Sequence, residues 1–128
     1  MSESFKPAGY NSLSPYIIAS DAQRLIDLLD TVFNATLTRR FNLPDGKVMH
    51  AEVRIDDSIL MISDSNEKYP PNQSILHLYV EDADAVFNKA IAAGCEVLNP
   101  VEQKENDPDR RGTFTDFSGN MWSVSTQL

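Results

Sequence analysis

The stretch MHAEVRIDDSILMISD, residues 49–64, decides the fold, because two arms of alternating polar and apolar residues flank a short turn. In the first arm, His50, Glu52 and Arg54 alternate with Ala, Val and Ile. The segment IDDS at 55–58 holds the turn. Period-two alternation around Asp and Ser is typical of a β-hairpin with one packed face.

Cross-strand pairing gives this predicted hairpin one chemically rich face. With a four-residue turn, Glu52 lies opposite Met61 and His50 lies opposite Ser63. Residues that lie opposite each other in an antiparallel pair share a face, so the remaining face is aliphatic. Because carboxylate, imidazole and guanidinium groups can do chemistry, we expect the face with His50, Glu52, Arg54 and Met61 to line a cavity.

Length, charge and cysteine content restrict the class of protein. We expect 128 residues to form a single domain with its own core. No apolar run approaches the roughly 20 residues that span a bilayer, and residues 1–14 lack the apolar core of a signal peptide, so no membrane association is expected. The net charge of −8 and the absence of a long basic cluster argue against nucleic acid. The single cysteine, Cys95, indicates a reducing, cytoplasmic setting, and we interpret it as a small hydrophobic side chain.

The predicted elements occur twice in the same order. Before the hairpin, residues 13–19 and 36–42 predict strands on either side of a helix, which Asp21 can cap and which runs to Phe33. Residues 65–74 are rich in Asn and Pro and predict a linker. The order then recurs in these ranges: strand 75–81, helix 82–94 with an Asp82 cap, strand 95–103 and a closing hairpin within 111–126.

This repeat predicts an α+β protein of two paired βαβββ modules, residues 13–64 and 75–127. Each module alone leaves one face of its sheet uncovered, so the two are expected to pair. The helices should cover the outer faces, and the inner faces should form a curved, partly closed sheet around a cleft.

Superposing the two halves selects the residues expected at the cleft. A shift of about 62 residues places Tyr16 near Tyr79, Glu52 on Phe114 and Met61 on Ser123. Aromatic and Met side chains with a few polar groups describe a ligand pocket, and an ordinary filled core is the alternative. Trp122 is expected to pack outside, against a helix. We predict that the cleft is lined by Tyr16, Tyr79, Met61, Phe114, Met121 and Ser123.

Four segments in this order resemble the vicinal oxygen chelate superfamily, which includes glyoxalase I, extradiol dioxygenases, fosfomycin resistance proteins and bleomycin-binding proteins. They look most like its PhnB-like, glyoxalase-like branch. The resemblance implies a homodimer, often with a cleft that both chains complete. The segments are SPYIIASDAQRLIDLLDTVFNA (14–35), HAEVRIDDSILMISD (50–64), LHLYVEDADAVFNKAIAAG (76–94) and TFTDFSGNMWSVST (113–126).

The resemblance also implies a divalent metal, held by His, Glu or Gln side chains on the first and last strand of each unit. By register, those positions here are Ser14, Met61, His77 and Ser123, and only His77 is a competent ligand. A catalytic zinc site has three protein ligands. We therefore expect no metal cofactor, and a substitute metal site is the alternative that stays open.

Three functions remain open from the sequence. The first is a metal-independent small-molecule-binding protein of the glyoxalase/bleomycin resistance type, with His50 and Arg54 among its ligand contacts. Arg39, Arg40 and Arg54 could bind a carboxylate or phosphate, and a solvated strand edge is the alternative. The negative charge suits a cationic or aromatic ligand, although solubility alone would explain it. The second is a lyase, isomerase or dioxygenase that uses His77 and Glu52 as an acid–base pair or, together with His50, as metal ligands. The third is a scaffold whose own side chains fill the cleft.

Overall fold

Residues 5–128, the part of the chain that this computed structural model describes, form two four-stranded sheets with one helix each. The strands run in the order β1-β4-β3-β2 in the first sheet and β5-β8-β7-β6 in the second, with no closed barrel. The predicted α+β class with two βαβββ units is confirmed. The elements are β1 (Tyr16–Ala19), α1 (Ala22–Phe33), β2 (Thr36–Asn42), β3 (Val48–Ile55), β4 (Ser58–Asp64), β5 (Ile75–Tyr79), α2 (Ala83–Ala92), β6 (Glu96–Gln103), β7 (Asp109–Thr115) and β8 (Met121–Gln127).

The β3–β4 hairpin has the predicted register. Glu52 lies opposite Met61, and Arg54 lies opposite Ile59. Asp56 begins the turn with a φ of 53°, a left-handed conformation that Asp tolerates better than most residues. Within each unit, the first strand runs parallel to the last one, because the helix crosses over between them.

Side-chain caps fix the starts of both helices as predicted. Asp21 accepts a hydrogen bond from the backbone N–H of Arg24 at 3.1 Å, and Asp82 accepts one from Ala85 at 3.0 Å. Each cap satisfies a donor that the first helical turn leaves without an intrahelical acceptor. Within residues 5–128, no helix is long and apolar enough to cross a membrane. The predicted N-terminal segment begins at residues 1–4, outside the described part.

An aromatic cluster between the sheets and the helices joins the two units. The Phe33 ring of α1 lies 5.2 Å from the Trp122 ring and 6.4 Å from the Phe114 ring, measured between centroids. Phe87 of α2 packs edge-on against Phe114 at 6.0 Å. The Trp122 indole N–H donates to Asp116 at 2.9 Å, so this buried polar group is satisfied. Trp122 therefore packs against a helix, as predicted.

Strand pairing corrects the predicted superposition of the two halves. Tyr16 pairs with Met61, and His77 pairs with Ser123, so the counterpart of Tyr16 is His77 rather than Tyr79. Similarly, Glu52 pairs with Met61, and Thr113 pairs with Ser123. The counterpart of Glu52 is therefore Thr113, not Phe114.

The cause of this correction is a longer turn in the second hairpin. Residues 55–58 lie between the paired residues Arg54 and Ile59, whereas residues 116–120 lie between Thr115 and Met121, which is one residue more. A displacement of one residue along a strand exchanges its two faces. Phe114, which is 1% exposed, consequently faces the helices, and the prediction that it lines the cleft is wrong.

Replacing Phe114 with Ala should lower the free energy of unfolding by about 3–5 kcal/mol, because it removes the ring that Phe33 and Phe87 contact. The matched control is Phe41→Ala, since half of the Phe41 side chain is exposed, and its cost should stay below about 1 kcal/mol. Urea unfolding followed by Trp122 fluorescence measures both. Equal losses in the two variants would contradict the position assigned to Phe114.

Candidate functional site

Each sheet has one face that its helix does not cover. We call them the first open face (Tyr16, His50, Glu52, Arg54 and Met61) and the second open face (His77, Tyr79, Asp109, Met121 and Ser123). These faces carry nine of the predicted site residues, and they belong to separate sheets.

Glu52 is the centre of the first open face and is only 4% exposed. Its Oε2 lies 2.7 Å from Nε2 of His50, and its Oε1 accepts a hydrogen bond from the Tyr10 hydroxyl. The Arg39 guanidinium adds an ion pair, with Nε 3.6 Å from Oε1. Both carboxylate oxygens therefore have donors, as a buried charge requires.

A third side chain, Tyr16 on β1, extends this network toward solvent. Its hydroxyl lies 3.1 Å from Nδ1 of His50. Because the Glu52 carboxylate can only accept, Nε2 of His50 carries a hydrogen, and Nδ1 of the neutral ring is left as an acceptor. Tyr16 then donates to His50 and keeps its outer lone pair, on a side chain that is 41% exposed.

The pKa of the Glu52 carboxyl is lowered from its ordinary value of 4.5. Burial works against this shift and is the largest single influence. Hydrogen bonds from Tyr10 and His50 and the positive charge of Arg39 together outweigh it. Glu52 is therefore ionised at neutral pH and holds the chain of hydrogen bonds in one direction.

Sequence reasoning missed Tyr10, and it considered Arg39 as a binder of carboxylate or phosphate but not as a partner of Glu52. Tyr10 belongs to a segment that sequence reasoning interpreted as an arm, but a turn from Pro7 to Tyr10 brings it back over β3. No local pattern signals such a return. Arg39 lies opposite Glu52 only because a register shift interrupts the β2–β3 pairing between Leu37 and Arg39. Strict alternation would have placed it on the other face.

The second open face holds a different set of contacts. His77 is exposed, with Nε2 at 3.1 Å from the Ser125 hydroxyl, and its ring packs edge-on against Tyr79 at 4.8 Å. The Tyr79 hydroxyl donates to Asp109 at 2.9 Å, and this contact raises the pKa of Tyr79. The structure thus brings Glu52 together with His50 and not with His77, which lies on the other sheet.

One pocket borders the second open face, and the single cysteine lies away from both faces. A pocket of about 350 Å³ borders the second open face, where Met121, Ser123 and Arg111 line it. Cys95 lies elsewhere, at the end of α2, and is buried. Burial raises the pKa of its thiol to about 11, so the side chain is an unreactive hydrophobe, as expected.

The family model for the Glyoxalase/Bleomycin resistance protein/Dioxygenase superfamily matches residues 10–124. The chain belongs to this superfamily. An uncharacterized protein of Mycobacterium bovis is 32% identical over 124 residues, which cover 88% of this chain and 81% of that protein.

Solved structures share the fold of this superfamily member. A PhnB protein from Bacillus cereus has a TM-score of 0.70 at 17% identity and covers 91% of this chain and 99% of its own. TnmS3, an antibiotic binding protein from Streptomyces sp. CB03234, has a TM-score of 0.69 at 19% identity, with coverages of 93% and 100%. The predicted resemblance to the vicinal oxygen chelate superfamily is confirmed, and the PhnB protein shares the fold.

The divalent metal that this resemblance implies does not fit the donor set of the four expected positions. Ser14 precedes β1, and Tyr16 takes the place opposite Met61. Thioether and hydroxyl groups are weak ligands for the metals concerned, which leaves His77 as the only imidazole of the set. Among residues 5–128, no group of three or more His, Cys, Asp or Glu side chains is arranged to hold a metal ion.

Replacing Glu52 with Gln should destabilise the fold by on the order of 1–3 kcal/mol at about pH 7 and by less at about pH 3. The folded pKa lies below the ordinary value of 4.5, so the stabilisation from the ionised carboxylate is complete above that value. It is lost as the pH falls through the folded pKa. Denaturant unfolding at both pH values measures it.

The control for this experiment is Glu102→Gln, because the Glu102 side chain is 57% exposed and forms a surface ion pair with Lys104 at 3.7 Å. Its effect should be small at both pH values. A Glu52→Gln cost that does not change with pH would show that the ionised carboxylate contributes nothing to stability.

Proposed function

We propose that this chain binds a small organic molecule on its first open face, without a resident divalent metal. The observation that carries the proposal is the chain of hydrogen bonds Tyr16–His50–Glu52. It fixes three polar groups of one face and leaves one lone pair, on the exposed Tyr16 hydroxyl, for a ligand. A few fixed polar groups on an apolar surface are the usual composition of a small-molecule site.

Apolar groups around this chain support the proposal. The Phe41 ring is half exposed and lies 6.5 Å from the His50 ring, and the Tyr16 ring lies 5.6 Å from the same ring on its other side. Met61, partly exposed, pairs with both Tyr16 and Glu52. Flat rings and a flexible thioether suit an aromatic ligand. TnmS3, which shares the fold, is described as antibiotic binding.

We also propose a cytoplasmic homodimer in which the second copy completes the site. Ile75 and Tyr79 on the edge strand β5 are 76% and 59% exposed. Exposed apolar side chains next to an open sheet face are typical of an interaction surface. A single buried cysteine suits a reducing compartment.

A second candidate function is acid–base catalysis by a lyase or isomerase. It is favoured by the position of His50 between a carboxylate and a phenol, since an imidazole held by a carboxylate can accept a proton from the group on its other side. In this mechanism the acid–base pair is Glu52 and His50, in place of the expected pair of Glu52 and His77.

The binding proposal is tested with benzylamine, benzoate and benzyl alcohol as probes, each titrated into protein with ¹³C-labelled Met methyl groups. At least one probe should shift the Met61 methyl resonance. Tyr16→Ala should weaken that binding by about tenfold or more, because it removes both a ring and a hydroxyl. The control is Tyr69→Ala, which changes an exposed ring in the β4–β5 connection. No shift with any probe would overturn the proposal.

Elemental analysis tests the absence of a resident metal, and sedimentation tests the homodimer. Purified protein should contain no stoichiometric divalent metal and should fold in the presence of a chelator. It should sediment as a dimer. Stoichiometric metal that is lost in His77→Ala would overturn the metal-free version, and a monomer at all concentrations would overturn the homodimer.

A further inference from the structure

We propose that Arg54 binds an oxyanion, the carboxylate or phosphate group of the ligand, so that the first open face selects anions although the chain as a whole is acidic. This inference rests on the proposed binding function and adds the chemical class of the ligand. It reverses the preference for cations that the net charge of −8 suggests.

The observation behind it is that the Arg54 side chain has no ion pair and no hydrogen bond among residues 5–128, whereas four of the other five arginine side chains do. Arg110 pairs with Asp84 at 2.7 Å, and Arg111 pairs with Asp107 at 3.2 Å. Arg40 bonds the side chains of Asn42 and Gln23. A partly buried guanidinium with free donors is costly unless something binds it.

The surroundings hold the Arg54 guanidinium on the first open face. Arg54 follows Glu52 by two residues on β3, so both side chains point the same way, and it lies opposite the buried Ile59. Its guanidinium lies under Gly9, where an added Cβ atom would be 3.0 Å from Nη2 and 3.3 Å from Nη1. The chain before β1 therefore limits how far this side chain can swing into water.

The charges on this face favour an anion. Two guanidinium groups, Arg39 and Arg54, face one carboxylate, Glu52, which leaves one positive charge when His50 is neutral. Glu52 cannot neutralise Arg54, because Tyr10, His50 and Arg39 already occupy its oxygens.

The nearest acids along the chain leave Arg54 unpaired as well. Asp56 and Asp57 in the β3–β4 turn make no ion pair with it within the described residues, and Asp57 accepts from Ser58 at 2.8 Å. A planar guanidinium without an acceptor among the described residues matches the geometry of carboxylate and phosphate oxygens. The charges close to a bound ligand act on it more strongly than the net charge of the chain, because salt screens distant charges.

The experiment uses four probes that share one phenyl ring, benzoate, phenyl phosphate, benzylammonium and benzyl alcohol, titrated by NMR and calorimetry at constant ionic strength. The two anions should bind in preference to the cation and the alcohol, and should shift the Arg54 Nε–H resonance. Arg54→Gln should weaken anion binding by about tenfold or more, and Arg54→Lys should retain part of it. Benzoate and phenyl phosphate together tell which oxyanion is preferred.

Arg40→Gln is the matched control, because it removes the same charge from the opposite face of the same sheet, where Arg40 contacts Gln23 of α1. It should leave anion binding unchanged. Preference for benzylammonium, or anion binding that survives in Arg54→Gln, would overturn this inference while leaving the proposed binding function intact. Probes that shift no resonance of the first open face would overturn both.

A carboxylate of a second copy of this chain could also bind Arg54, and sedimentation of Arg54→Gln tests this alternative. The variant should keep the oligomeric state and the thermal stability of the parent protein. Loss of the dimer in this variant alone would assign Arg54 to the interface and overturn the inference that it binds a ligand.

Discussion

The nearly buried carboxylate of Glu52 constrains the first open face more than any other group. A buried charge needs donors on each oxygen, and in this fold they come from three separate parts of the chain. β3 supplies His50, β2 supplies Arg39, and the segment before β1 supplies Tyr10. β1 joins indirectly, because Tyr16 bonds the far side of the His50 ring. One acidic side chain thereby orders Tyr10, Tyr16, Arg39 and His50.

The helix-covered side follows a different rule. There, Phe33, Phe87, Phe114 and Trp122 pack ring against ring, and the Trp122 indole donates to the Asp116 carboxylate. Packing of this kind contributes most of the stability, whereas the polar network fixes the orientation of the polar groups on the first open face. Because successive residues of a strand alternate between these two environments, both roles are encoded in the same eight strands.

Local patterns predicted much of this architecture. Alternation in residues 49–64 gave the hairpin register, and Asp21 and Asp82 marked the helix starts, because both signals depend on residues close in sequence. The repeat of the element order gave the fold class. The counterpart of each residue in the other half was not predictable from a constant shift, since one extra turn residue separates the two hairpins.

The candidate site was predicted only where it depends on one hairpin. His50, Glu52, Arg54 and Met61 share a face as the alternation implies. The contact of Tyr10 with Glu52 spans distant parts of the chain, and the separation of His77 from Glu52 depends on how two sheets are placed. Neither the contact nor the separation produces a periodic pattern in the sequence.

The Tyr10 phenol has one more consequence for any molecule that reaches Glu52. Oε1 of this carboxylate already holds a hydroxyl donor from the same polypeptide. A ligand whose hydroxyl donates to this oxygen must therefore displace the Tyr10 hydroxyl, because Oε1 is already occupied. Since the phenol is tethered, its effective concentration at that oxygen is high, and the protein carries a built-in competitor against weak donors.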